Sequence, residues 1–283
     1  MQDVPKQVTD LLNALAALRS PPYEGGVDAF RGRGGSLPDD GGTDLVGIYL
    51  YGSLTQNAFN PKRSDIDCVI VTRGELTDKQ FADLESWFAE MAKVDPWTER
   101  LQATILIRDE VLKMDSPGCL YQFGKLTRSG SDGNPIIWLN ILDSGVTLYG
   151  EPPQNFVPEI TPAILSEALR REVNYIREEI ENQESEWRDR PKYRAYAVLT
   201  LCRILYTHAK GKVVSKPRAA IWAIRKLELS SPPARGGVDA VSRTRWWEAG
   251  IRETLTSETD DDIGDLPLET IHAMLDYTES DLK

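Results

Sequence analysis

Apolar residues recur along the chain with two different periods, and the switches between them outline its elements. Val4, Val8, Leu11, Leu12, Leu15 and Leu18 stand at helical spacing and predict an amphipathic first helix over 4–18. A Pro/Gly-rich loop over 21–42 follows. The apolar run 45–51 predicts a strand, 67–71 its neighbour, and 77–93 a helix that gathers Phe81, Leu84, Trp87, Phe88 and Met91 on one core-facing stripe. Residues 102–107 read as a third strand, and the apolar segments 136–142 and 146–149 complete an α+β first domain closing near Gly150. The Gly-Glu-Pro-Pro sequence at 150–153 is the expected boundary, giving domains of 1–153 and 154–283.

Beyond that point the period is helical: roughly 162–184, 193–209, 216–229, 245–256 and 267–282. Thr161-Pro162 and Ser215 ahead of Lys216-Pro217 support two of the starts. The acidic run 258–262 reads as a solvated linker, because dense like charge resists burial. PPYEGGVDA at 21–29 recurs as PPARGGVDA at 232–240, a match too short for a duplicated domain and closer to one insertion repeated in two surface loops.

Length and composition allow one large core or two modest ones: 283 residues, 41% of them hydrophobic. A net charge of −11 repels nucleic acid at long range and favours a cationic substrate or a divalent metal. Neither a nucleic-acid partner nor a membrane is expected, since no stretch approaches 18 apolar residues and the N-terminus lacks a basic segment followed by an apolar run. Three dispersed cysteines without a CxxC pair, and only two histidines, argue against a zinc cluster and for a reduced, cytoplasmic protein. His208 and His272 fall in helical periodicity without partner histidines, and Cys202 reads as core beside Leu201, so a covalent ping-pong route is disfavoured.

The chemistry concentrates in LVGIYLYGSLTQNAFNPKRSDIDCVIV at 45–71. Side chains alternate faces along a strand, so Asp65 and Asp67 point the same way while Ile66 points to the other side. Two carboxylates so placed can hold Mg²⁺ against a triphosphate and orient its α-phosphate for in-line attack. Gly52 permits a sharp turn and close phosphate approach, and Ser53 can donate from its hydroxyl and backbone N–H. Ser64 shapes the approach to the carboxylate strand and is a further candidate contact to nucleotide. Asp-x-Asp alone is weak in so acidic a chain; strand, Gly-Ser turn, loop and apolar-flanked SDID together carry the inference.

The GS…DxD arrangement of Gly52, Ser53, Asp65 and Asp67 resembles the polymerase-β-like nucleotidyltransferase superfamily. Within it, the chain resembles the aminoglycoside adenylyltransferases that modify streptomycin and spectinomycin, over most of 45–230. VLTLCRILYTHAKGKVVSKPRAAIWAI at 198–224 supports this in the second half. The resemblance implies a nucleotidyltransferase domain followed by an all-helical domain, ATP as co-substrate, two Mg²⁺ ions, and transfer of AMP to a hydroxyl of an aminoglycoside or aminocyclitol antibiotic by a monomer. It also sets Arg203 and Lys216 at positions expected to contact ATP or its phosphates. Each also has a plain reading, Arg203 beside a local carboxylate and Lys216 in solvent.

The chain departs from the family at the third strand. Where the family carries a glutamate as general base in an LEVT-like segment, this sequence has LQAT, placing Gln102 there. An amide keeps the size and hydrogen bonding of glutamate but does not accept a proton. Three readings stay open: a variant made inactive to trap its ligands, a natural member with impaired or redirected chemistry, or another base such as Glu99. The antibiotic side differs too. Trp187, Asp189 and Tyr193 are candidate pocket residues without the family's acidic residue directly before the helix; Glu184 and Glu186 could supply charge, and ordinary packing accounts for Trp187 and Asp189 equally well. The competing functions are AMP transfer to a protein and a catalytically degenerate nucleotide-binding protein.

Overall fold

The computed structural model describes residues 4–17, 45–113, 115–130, 133–230, 248, 251–252, 255 and 266–283. Both PPxxGGVDA segments, the acidic run 258–262 and most of the expected helix over 245–256 lie outside them. The chain divides into two units, Met1–Glu159 and Ile160–Lys283.

The first unit is built on a six-stranded sheet: β1 (Leu45–Tyr51), β2 (Ile66–Thr72), β3 (Leu101–Ile107), β4 (Pro117–Gln122), β5 (Lys125–Gly130) and β6 (Val146–Gly150), in the order β5-β4-β3-β2-β1-β6. Among the described residues only the β2–β3 pair is parallel. A parallel pair needs a long crossover, and α2 (Asp78–Val94) lies within it. A capping box starts α2: the Thr77 side chain accepts from the Gln80 N–H, and the Gln80 side chain accepts from the Thr77 N–H.

Strand alternation divides the sheet residues between two faces. Ile66, Cys68, Ile70, Leu101, Ala103, Ile105, Cys119 and Tyr121 join Leu84, Trp87 and Phe88 of α2 and Val8, Leu11 and Leu15 of α1 (Lys6–Ala16) in one core. Phe88 stacks on Tyr121 with ring centroids 3.8 Å apart. Each fully buried Leu, Ile, Val or Phe among them contributes about 1.5–3 kcal/mol by leaving water. The interleaved residues, Asp67 and Gln102 among them, are therefore turned to the opposite face.

The hairpin of β4 and β5 was not foreseen from the sequence. The first unit also continues past the expected boundary at 153, because Phe156 is captured by Trp138 of α3 (Pro135–Ser144) at 5.7 Å and by Tyr49 at 5.9 Å. The Tyr49 hydroxyl donates to the Glu151 carbonyl at 2.7 Å, and Arg108 bonds the Glu151 carboxylate at 2.9 Å. Burial, and then the Glu151 charge, raise the Tyr49 phenol well above its usual range, so it stays a donor.

The second unit is helical: α4 (Pro162–Glu181), α5 (Glu186–Asp189), α6 (Pro191–Lys210), α7 (Lys216–Ser230) and α8 (Leu268–Asp281). Thr161 caps α4 by accepting from the Ile164 N–H at 3.3 Å, and Gly211 in a left-handed conformation ends α6. α6 is the central helix, with Val198, Leu201, Cys202 and Leu205 buried, Cys202 beside Leu201 as expected. Arg177 of α4 holds α8 through Glu279 at 2.6 Å and Asp276 at 2.9 Å. No helix among the described residues is long and apolar enough to cross a membrane.

Candidate active site

β1 ends at Tyr51, and Gly52 turns the chain with φ of +77°. The Thr55 hydroxyl and the Gln56 N–H both donate to the Gly52 carbonyl at 3.2 Å, and the Ala58 N–H donates to that of Ser53 at 3.0 Å. The Gln56 amide anchors this turn to Asn140 of α3 at 3.2 Å. A Cβ on Gly52 would collide with the Asp67 carboxylate and lie 3.1 Å from its Cγ, so glycine is needed for both its φ and its closeness to Asp67. The Ser53 hydroxyl is buried without a hydrogen-bond partner among the described residues. A buried hydroxyl left unpaired is costly, and an oxygen-rich ligand held at this turn would satisfy it.

The loop into β2 is closed from within. The Asn60 N–H donates to the Ser64 hydroxyl at 2.8 Å, the Lys62 N–H donates to the Asn60 side chain at 2.9 Å, and Arg100 donates to the carbonyls of Pro61, at 2.6 Å, and Ser64. Ser64 thus holds the loop that delivers Asp65. Arg100, which lies over the Trp97 ring at 4.5 Å, was missed in the sequence; only its position two residues before Gln102 hints that it faces the loop ahead of the neighbouring strand.

Asp67 stands in register with Tyr51 on one side and Gln102 on the other, and the Gln102 amide donates to Asp65 Oδ2 at 3.1 Å. Gly52, Ser53, Asp65, Asp67 and Gln102 therefore meet at one end of the sheet. Asp65 is exposed and Asp67 half-buried. Behind Asp67, burial and then the Asp67 charge raise the Cys68 thiol well above its usual range, leaving it neutral. Glu99, the alternative base, lies in the single helical turn Pro96–Arg100 directly ahead of β3, and after burial its charge helps raise the Tyr121 phenol.

The donors suit a hard cation. Two carboxylates and one amide offer only oxygen, as Mg²⁺ prefers when it completes its shell from phosphates and water. Among the described residues no group of three or more His, Cys, Asp or Glu forms a larger metal cluster.

In the second unit, Trp187 stacks on Tyr193 at 5.8 Å and 3° and meets Tyr175 and Tyr196 edge-on at 5.6 and 5.2 Å. Burial raises the Tyr175 phenol, as do Glu179, Tyr196 and Glu172, so this aromatic cluster lies among acidic groups. Asp189 is exposed at the end of α5, and Glu186 pairs with Arg190 at 2.8 Å. The Lys216 ammonium lies 3.8 Å from the Tyr196 ring centre and so touches the Trp187 cluster, a link the sequence did not suggest. Arg203 is half-buried on α6.

Residues 37–113 match a family described as the nucleotidyltransferase domain, and residues 155–233 match the aminoglycoside adenylyltransferase C-terminal domain. The chain is similar to a spectinomycin 9-adenylyltransferase of Campylobacter jejuni, 26% identical over 204 residues that cover 67% of this chain and 74% of that one. It is likewise similar to an aminoglycoside (3'') (9) adenylyltransferase of Escherichia coli, 24% identical over the same shares. Its fold is like that of a spectinomycin adenyltransferase from Enterococcus faecialis, solved with ATP and spectinomycin: TM-score 0.62, 16% identity, 98% of each chain covered. With a GS turn and paired aspartates on the sheet of one unit and a helical second unit, the chain belongs to the aminoglycoside adenylyltransferase family of nucleotidyltransferases.

Proposed function

We propose that this protein transfers AMP from ATP to a hydroxyl of spectinomycin or streptomycin, acting as a cytoplasmic monomer. The observation that carries this reading is the convergence at one sheet end of the Gly52 turn, the Asp65–Asp67 pair and Gln102, which is hydrogen-bonded to Asp65 at 3.1 Å. The names of the similar proteins supply the acceptor class.

In this reading Asp65 and Asp67 hold Mg²⁺, two ions by family resemblance. When bound, the metal neutralises phosphate charge. The buried Ser53 hydroxyl and the N–H groups of the Gly52–Ser53 turn hold phosphate oxygens. Ser64 supports the loop beneath Asp65 and is kept as a nucleotide-side residue. Arg203 and Lys216 are assigned to the nucleotide phosphates; Trp187, Asp189 and Tyr193 are assigned to the antibiotic. The antibiotic oxygen bonds to the α-phosphorus as the bond to pyrophosphate breaks, and the hydroxyl proton must leave.

Gln102 occupies the place for accepting that proton and does not take it, because an amide can bond the hydroxyl but has no basic lone pair near neutral pH. General-base assistance is worth about 10²–10⁴-fold in rate, so the chain should bind its ligands and turn over slowly. The Gln102–Asp65 bond also favours a second reading, a nucleotide-holding protein with no turnover.

The test pairs binding with product. Calorimetry of Mg-ATP should lose its heat in the Asp65→Asn, Asp67→Asn double variant. Mass spectrometry should find an adenylylated antibiotic after prolonged incubation of the Gln102→Glu chain. Undiminished Mg-ATP binding by the double variant refutes the metal role, and adenylylated protein in place of antibiotic refutes the acceptor.

A further inference from the structure

One aromatic ring in the first unit is exposed and strained at once. β4 and β5 are joined by Phe123-Gly124, whose φ values are 52° and 73°. Two left-handed residues make the tight turn that matches hairpin twist, and asparagine or glycine is the usual first residue of such a turn. A phenylalanine there is a conformational outlier. The residue is 79% exposed, so no burial offsets the strain. The other non-glycine residue with positive φ among the described residues is Asn57, a type that tolerates that region. Strain kept without packing points to a use for the ring outside the fold.

Strand register fixes where the turn stands. Ala103 pairs with Tyr121 across antiparallel β3 and β4, so Gln122 falls level with Gln102 and the turn lies at the sheet end that carries Asp65. Along that end run the Gly52–Ser53 turn after β1, Asp65 and Asp67 at the start of β2, Gln102 on β3, and then the Phe123 turn. The phosphate-suited groups occupy the β1–β2 side. An acceptor that reaches the α-phosphate beside Gln102 therefore approaches from the β3–β4 side, next to Phe123.

We propose that Phe123 contacts the acceptor, its ring packing against a small polyhydroxylated ring that carries a protonated amine. This rests on the adenylyltransferase reading above. The face of an aromatic ring attracts a cation and also covers the C–H face of a saturated ring. Phe123 would thus be a specificity-determining residue on the first unit.

The test uses the full chain saturated with Mg-ATP, with spectinomycin and streptomycin as probes in calorimetry, comparing Phe123→Asn and Phe123→Tyr. Asparagine suits the left-handed turn, so Phe123→Asn should melt at or above the parent temperature and bind Mg-ATP equally. It should bind the antibiotic about three- to fivefold more weakly, the size of an exposed cation–ring contact. Phe123→Tyr should bind like the parent. Unchanged antibiotic binding by Phe123→Asn overturns the inference and leaves the adenylyltransferase reading standing. So does a Phe123→Asn chain that loses stability and weakens on both ligands alike, the mark of a structural residue. A parent chain that binds neither antibiotic overturns both.

Discussion

Replacing Gln102 with glutamate removes a hydrogen-bond donor and sets a third carboxylate where the amide nitrogen now lies 3.1 Å from Asp65 Oδ2. Asp65 is exposed, so the repulsion is to be taken near the dielectric of water, where two charges at that distance oppose each other by about 1 kcal/mol. The lost hydrogen bond adds at most about 1 kcal/mol. Without metal, Gln102→Glu should therefore be less stable by about 1–2 kcal/mol, a fall of about 2–8 °C in melting temperature for a unit of this size. Mg²⁺ reverses the sign, because a third carboxylate strengthens the site: tenfold tighter binding returns about 1.4 kcal/mol at saturation. Melting both proteins by circular dichroism with chelator and then with Mg²⁺ checks this. The parent should melt higher in chelator and respond weakly to Mg²⁺, whereas Gln102→Glu should start lower and gain more. Identical melting in chelator together with identical Mg²⁺ responses would refute the juxtaposition of Gln102 with the aspartates.

Gly52→Ala should cost about 1–2 kcal/mol for its left-handed backbone alone, and its methyl would also displace the Asp67 carboxylate. Mg-ATP binding by calorimetry should then fall sharply with the far-ultraviolet spectrum unchanged; full binding would show that the turn does not abut Asp67. Cys68, Cys119 and Cys202 are buried free thiols, each raised by burial, Cys202 to about 12. A raised thiol stays protonated until the pH nears its folded value, so the native chain at pH 8 should resist iodoacetamide and react at all three once unfolded; fast native labelling would contradict this packing.

The sequence was most legible where one periodicity governed a segment. β1 and α2 lie where the apolar run and the helical stripe put them, and Asp65 and Asp67 meet at one sheet end through Gln102. β4 and β5 escaped because PGCLYQFGKLTRSG is short, polar on one face and turned by Phe-Gly where Asn-Gly would announce a hairpin. The domain edge was set early because Gly-Glu-Pro-Pro reads as a break, yet Phe156 beyond it is held by Tyr49, more than a hundred residues away. No local pattern encodes such a contact. For the same reason Arg100, whose bonds to Pro61 and Ser64 join segments distant in sequence, had no signal of its own. Lys216 was expected at phosphate; its contact with Tyr196 depends on how α6 and α7 lie together, which periodicity does not specify.

The most direct test of the central claim follows pyrophosphate release and product mass when the parent chain and Gln102→Glu are given ATP, Mg²⁺ and spectinomycin or streptomycin. The account predicts an antibiotic–AMP product from Gln102→Glu, formed at least about 100-fold faster than by the parent. No product from either chain, or equal rates from both, would contradict it.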